Sequence, residues 1–140
     1  MTATIAVTSD LGACRALRRA VFIDEQGIAE ADEIDDLDDA AIHLLAMDQG
    51  RPVGTARLLI DGAVGRIGRV CVLPTHRGTG LGAALMAAAI AELSARPGLT
   101  VIRLSAQLSV ERFYQRLGFA GTGPVYDDAG IPHRTMERAV

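Results

Sequence analysis

Apolar and polar positions change period several times along this chain, and each change marks a predicted element. Thr4 to Val7 read as a short strand. Asp10 is placed to cap a helix running to about Val21, because Leu11, Cys14, Leu17 and Val21 fall on one helical face. His43 to Asp48, Val53 to Ile60 and Ala63 to Leu73 are strand-like. Their links, Gln49-Gly50-Arg51-Pro52 and Asp61-Gly62, are turn-prone and short, which favours an antiparallel meander. Pro74 closes the third of these strands. A helix follows from about Gly80 to Ala95, with Leu85, Met86, Ala89, Ile90 and Leu93 on its apolar face, and Pro97-Gly98 ends it. Thr100 to Ser105 reads as a strand, Val110 to Leu117 as a short helix capped by Gly118, and Ile131 to Ala139 as a last strand. The predicted class is α/β: a mixed central sheet with an antiparallel N-terminal half and a βαβ unit in the second half, flanked by helices.

Between the first helix and the meander the pattern breaks. Glu30 to Asp39, EADEIDDLDD, concentrates acids and holds no base, so it reads as loop with at most a helical turn. Such a run is ordinarily a solvated face. Bordering a pocket, it would favour cationic amines instead. Arg57 and Arg69, on predicted strands, could bind a substrate carboxylate or neutralise that acidic run; the sequence leaves both open. Gly27 to Ala41 and Gly121 to Gly130 read as variable loops.

Composition removes several function classes. The length of 140 residues suits one domain, 1–140, and 49% hydrophobic residues excludes a wholly disordered chain. No stretch approaches the ~20 apolar residues of a membrane span. MTATIAVTSD carries no base ahead of its short apolar run, so no secretory leader is expected and a cytoplasmic location is. The net charge of −3 gives no domain-wide basic footprint for nucleic acid. Every basic residue is Arg, which excludes lysine Schiff-base chemistry. Cys14 and Cys71 stand far apart, and His43, His76 and His133 form no ligand-spaced cluster with them, so reduced buried thiols and no metal are expected.

The most informative segment runs from Val70-Cys71-Val72-Leu73-Pro74 through Thr75-His76-Arg77-Gly78-Thr79-Gly80-Leu81-Gly82-Ala83. A β-branched strand enters a glycine-rich turn, and a helix opens at once. Helix-start N–H groups lack intrahelical partners and carry the positive end of the macrodipole, so this is an anion site. Glycines let backbone approach a bulky oxyanion, and Arg77 can add a charge-assisted contact. The plainer reading is a glycine-loosened connection. A Walker A loop is excluded for want of lysine. Gly78-x-Gly80-x-x-Ala83 formally fits a dinucleotide fingerprint. Against that, Pro74 to Arg77 separate the strand from the first glycine. The next strand, Val101-Ile102-Arg103-Leu104-Ser105, also ends without the acid a ribose needs.

Arg77-x-x-Gly80-x-Gly82, after a V-x-V strand and Pro74, resembles the acetyl-CoA pyrophosphate loop of the GNAT superfamily of N-acetyltransferases. Phe113-Tyr114-Gln115-Arg116-Leu117-Gly118-Phe119 resembles that superfamily's F-Y-x-x-L-G-F element. Arg18 to Gln26, the acidic run and Ala129-Gly130-Ile131-Pro132-His133 are similar to a small bacterial, ElaA-like branch. The resemblance covers most of the chain.

That resemblance implies strands 69–73 and 100–105 splaying apart, with acetyl-pantetheine in the gap. The backbone of Val70, Cys71 and Val72 would meet it, and Arg77, Gly78, Thr79, Gly80, Leu81 and Gly82 would hold the pyrophosphate. Gln107 stands where the family usually has an Asn that contacts pantetheine. Tyr114 is the candidate general acid for the departing thiolate. Periodicity alone would make it core, sharing a face with Val110, Phe113 and Leu117. Glu25 and His43 are candidate bases, each with a plain alternative as helix-end acid or strand histidine. The implied activity is direct transfer of acetyl from acetyl-CoA to an amine of a small molecule or peptide, with no acyl-enzyme. A homodimer is common in such folds. The rival readings are a non-catalytic acyl-CoA sensor and a nucleotide-binding α/β domain.

Overall fold

The computed structural model describes residues 3–140. Its strands are β1 (Thr4–Thr8), β2 (Ile42–Asp48), β3 (Arg51–Asp61), β4 (Val64–Val72), β5 (Val101–Gln107), β6 (Ala120–Asp128) and β7 (Ile131–Ala139). They form a single sheet in the order β1-β2-β3-β4-β5-β7-β6. Only β4 and β5 run parallel; every other neighbouring pair is antiparallel. The helices are α1 (Leu11–Arg18), α2 (Glu30–Glu33), α3 (Leu81–Ser94) and α4 (Glu111–Arg116).

Two packed layers cover the sheet. On one face α3 sends Leu81, Leu85, Met86, Ala89 and Leu93 into a core with Leu58, Ile67, Ile102 and Met136. These α3 residues recur at helical spacing, which is why the segment folds as a helix on a sheet. Gly54 lets that helix sit close, since a Cβ there would stand 2.9 Å from Leu85 Cδ1. On the other face Cys14, Leu17 and Val21 pack with Leu45 and Cys71. Asp10 caps α1 as predicted, its Oδ1 accepting from the Ala13 N–H at 3.0 Å.

Three departures from the sequence reading have physical causes. Beyond Arg18 the helix widens into a π-helix, Arg19–Glu25, where the Gln26 N–H reaches back to Val21 O. Such turns are rare and cluster at functional sites. The acidic run is only partly solvated: it forms α2 and a 3₁₀ turn at Asp38–Ala40, with Glu33 and Asp38 buried while Glu30, Asp32, Asp36 and Asp39 stay exposed. Residues 121–130, read as loop, are largely strand β6. That strand is exposed along its whole length, so no alternation marks it. Its register also slips between Thr122 and Tyr126, around Gly123-Pro124, which suits an edge strand.

Candidate active site

The site begins with a strand that leaves its partner. Parallel pairing of β4 with β5 runs from Val64↔Val101 to Ile67↔Leu104 and stops there. On its other edge β4 stays paired with β3, but Thr55 faces Cys71 while Arg57 faces Gly68, so β4 carries one extra residue. The bulge centres on Arg69, a non-glycine at φ +52°. Bulges bend a strand, and here β4 turns away from β5 while β5 continues beside β7 to Gln107↔His133. A cleft of about 710 Å³ opens in the gap. Val70, Cys71 and Val72 line one wall, and Ser105, Gln107 and Tyr114 line the other.

Arg77 and Gly78 also line the cleft, where β4 runs on into the glycine turn. Thr79 to Gly82 continue the loop from there without lining it. Gly78 and Gly80 both have positive φ, +73° and +86°, and open space where a side chain would stand. Gly80 is the left-handed residue that starts α3, a conformation glycine adopts without a Cβ penalty. Among the described residues no protein acceptor takes the N–H groups from Gly78 to Ala83; the next amide, Ala84, bonds Gly80 O at 3.0 Å. A run of orphan donors at a helix start is built for an anion. Leu81 is buried in the core, so it can offer only its N–H.

Arg77 is held by Glu25, Nη1 to Oε2 at 2.6 Å and Nη2 to Oε1 at 2.7 Å, while its Nε donates to Val72 O. Those bonds from Arg77 hold the Glu25 carboxyl below its ordinary range. A carboxylate so engaged is a weak proton acceptor. His43 is brought nowhere near the chemistry. It is buried on β2, its Nε2 bonds Asp38 O at 2.9 Å, and it does not line the cleft.

Tyr114 stands edge-on to Phe113 and Phe119, with centroids 5.1 and 6.2 Å away. Burial pushes its phenol up, so it stays protonated at neutral pH. Gln107 reaches across the cleft and donates to Gln26 Oε1 at 3.0 Å. Burial also pushes the Cys71 thiol up to about 12, which leaves it inert as a nucleophile.

Behind this wall lies a buried ionic network. Asp38 accepts from Arg18 Nη1 and Nη2 at 2.9 and 3.0 Å, from Arg15 Nε at 3.0 Å and from Arg57 Nη1 at 3.1 Å. Arg57 also forks onto Asp35, at 2.8 and 2.9 Å. Arg69 donates to Glu33 O at 2.9 Å and approaches Glu33 Oε1 and Asp35 Oδ2 at 3.3 Å. Arg57 and Arg69 therefore pair with Glu33, Asp35 and Asp38 of the acidic run, the second of the two roles the sequence left open.

A family model described as the acetyltransferase (GNAT) domain matches residues 14–140. The chain belongs to the GNAT acetyltransferases. This acetyltransferase is 35% identical to the protein ElaA of Escherichia coli over 138 residues, 94% of this chain and 89% of that one. The crystal structure of ElaA superposes with a TM-score of 0.80 at 29% identity, covering 98% of each chain. An acyl-CoA N-acyltransferase from Pseudomonas aeruginosa superposes at 0.86 with 33% identity over 99% of each chain. An uncharacterized N-acetyltransferase of Bacillus subtilis, YjcF, is 34% identical over 121 residues, 86% of each chain. The fold predicted for a GNAT enzyme, with its one parallel pair splayed, is the fold observed. No helix among the described residues is long and apolar enough to cross a membrane.

The sequence reading gave His133 no role at the site, weighing it as a metal ligand and as part of the Ala129 to His133 resemblance, yet it lines the cleft beside Gln107. Ser105 and Tyr126, hydrogen-bonded to each other, complete that end. The usable signal for His133 was the pairing of β7 with β5, both predicted strands; placing Tyr126 beside it requires β6 to be recognised as a strand as well.

Proposed function

We propose that this GNAT acetyltransferase moves acetyl from acetyl-CoA directly to a primary amine. The observation that carries the reading is the open cleft between β4 and β5, ending at a loop of unpaired amides. The loop from Gly78 to Gly82 would take the pyrophosphate, joined by Arg77 once that side chain leaves Glu25. The edge of β4 from Val70 to Val72 would pair with pantetheine. A backbone N–H on that edge, aimed at the thioester carbonyl, would stabilise the oxyanion formed as the amine attacks.

Tyr114 is the general acid: it lines the cleft on the wall facing β4, and its phenol, protonated at neutral pH, gives the thiolate its proton on leaving. Cys71, held as a thiol, supports direct transfer without an acyl-enzyme. Glu25 acts as the partner that keeps Arg77 in place in the free enzyme, rather than as the base.

The test pairs calorimetric titration of acetyl-CoA, with NAD(H) as comparison, with thiol release over a panel of polyamines, aminoglycosides, amino acids and peptide N-termini. Tyr114→Phe is expected to lower kcat by about 100-fold or more while acetyl-CoA Kd holds within about threefold. Binding without turnover of any amine would favour the sensor reading. Tight NAD(H) binding without acetyl-CoA binding would overturn the assignment.

A further inference from the structure

The transfer needs a proton acceptor for the attacking amine, and neither carboxylate nor histidine singled out by sequence supplies one. His133 does have the required geometry. Its Nδ1 lies 2.7 Å from the carbonyl oxygen of Ile131. A carbonyl only accepts, so Nδ1 carries the ring proton and Nε2 keeps its lone pair in the neutral ring. Among the described residues Nε2 has no hydrogen-bond partner, and it is not one of the atoms sealed from solvent. The ring is held tightly all the same: His133 is 8% exposed and stacks on Tyr126 with centroids 6.1 Å apart. Cross-strand pairing sets it between Gln107 of β5 and Tyr126 of β6. A fixed ring with one committed nitrogen and one bare nitrogen at the wall of a reaction cleft is the arrangement a general base requires.

We infer that His133 is the catalytic base, taking the acceptor's proton on Nε2; this rests on the acetyltransferase reading above. The neutral amine forms the C–N bond, and the proton its nitrogen sheds passes to His133 Nε2. Collapse of the adduct breaks C–S, and the thiolate takes the phenolic proton of Tyr114. The imidazolium proton returns to the phenolate through water, so both residues end as they began. The strands flanking His133 present Tyr126 and the neutral Ser105 and Gln107. The 3₁₀ turn Leu108–Val110, also packed on β7, brings no charge. Asp128 at the hairpin and Asp32, Glu33, Arg69 and the paired Glu25 and Arg77 elsewhere on the cleft wall supply its charges.

Two measurements test this. Long-range nitrogen–proton NMR correlation on the unaltered protein is expected to show the neutral ring protonated at Nδ1; protonation at Nε2 would overturn the inference. Thiol-release kinetics on His133→Ala and His133→Asn form the second arm, Asn retaining an N–H for Ile131 O. Both variants are expected to lose about 100-fold or more in kcat/KM, with acetyl-CoA Kd within about threefold. Added imidazole is expected to restore part of the Ala variant's rate. Wild-type turnover with both folded variants within about threefold of it would sink the role of His133 alone. Absence of wild-type turnover with every amine would sink the acetyltransferase reading, and this one with it. The NMR arm needs no variant and stands whether or not either substitution folds.

Discussion

Replacing Asp38 with Asn removes one charge from the most heavily bonded carboxylate of the buried network. Oδ1 accepts from Arg18 and Arg57, and Oδ2 from Arg18 and Arg15. Whichever oxygen becomes NH₂, it faces two guanidinium donors with a donor of its own. Arg18 and Asp38 are 2% and 4% exposed, so little water can repair the loss. Arg15 is 55% exposed, so its share is that of a surface bridge, within about 1 kcal/mol. Breaking a buried pair costs about 3–5 kcal/mol. Arg18 keeps Glu33 and Arg57 keeps Asp35, which sets the expectation at the low end, about 3 kcal/mol. For a chain of this size that is a fall in Tm of about 10 °C.

Thermal melts of wild type and Asp38→Asn across pH give the test a sign. Burial alone would raise the Asp38 carboxyl, but hydrogen bonds from Arg18, Arg15 and Arg57 outweigh it and hold the group far below the ordinary carboxylate range. Asp35 is lowered too, chiefly by its bond from Arg57. A depressed folded-state pKa stabilises the fold above the unfolded value of about 4, and that stability is lost as pH falls through the folded value. The gap between the two proteins is therefore widest and flat near neutrality and narrows below about pH 4. A Tm difference under about 3 °C at pH 7, or a gap that widens in acid, would refute the claim that these ion pairs stabilise the fold.

Arg77→Ala is expected to weaken acetyl-CoA binding about tenfold by calorimetry, since it removes one charge-assisted fork but leaves the amides of the loop. Unchanged affinity would show that Arg77 serves Glu25 alone. At pH 8 a thiol held near 12 is ionised to about one part in ten thousand. Cys71 in the folded protein is therefore expected to resist alkylation by iodoacetamide at that pH and to react readily in urea, as read by peptide mass spectrometry. Rapid labelling of the native protein would show the thiol to be activated.

How much of this was readable in the chain depended on whether the physics was local. The αL turn at Gly78 and Gly80, the cap at Asp10 and the apolar stripe of α3 each follow from neighbours within a few residues, and each was legible. The edge strand β6 was not, because a strand exposed on both faces has no hydrophobic period to read. Glu25 and Arg77 lie 52 residues apart, so nothing in either segment warns that the candidate base is tied to the candidate phosphate ligand. His43 shows the same limit. An imidazole at a strand start suits proton exchange by residue type, but its ring is turned onto Asp38 O, inside the fold.

The acidic run carries the deepest consequence of such non-local pairing. Arg69 adopts a left-handed φ that costs a non-glycine residue about 1–3 kcal/mol unless its surroundings hold it there. They do: Glu33 and Asp35, both in the run, grip its guanidinium. Arg18 ties Glu33 to Asp38 and Arg57 ties Asp35 to Asp38, so the segment is braced against α1 and β3 before it reaches β4. Because the bulge at Arg69 stands where β4 parts from β5, these acids shape the cleft through the strand's backbone. The charge of Glu33, Asp35 and Asp38 is spent on arginines, so of the run it is Asp32, exposed and lining the cleft without an ion-pair partner among the described residues, that is left to bear on the charge of the acceptor.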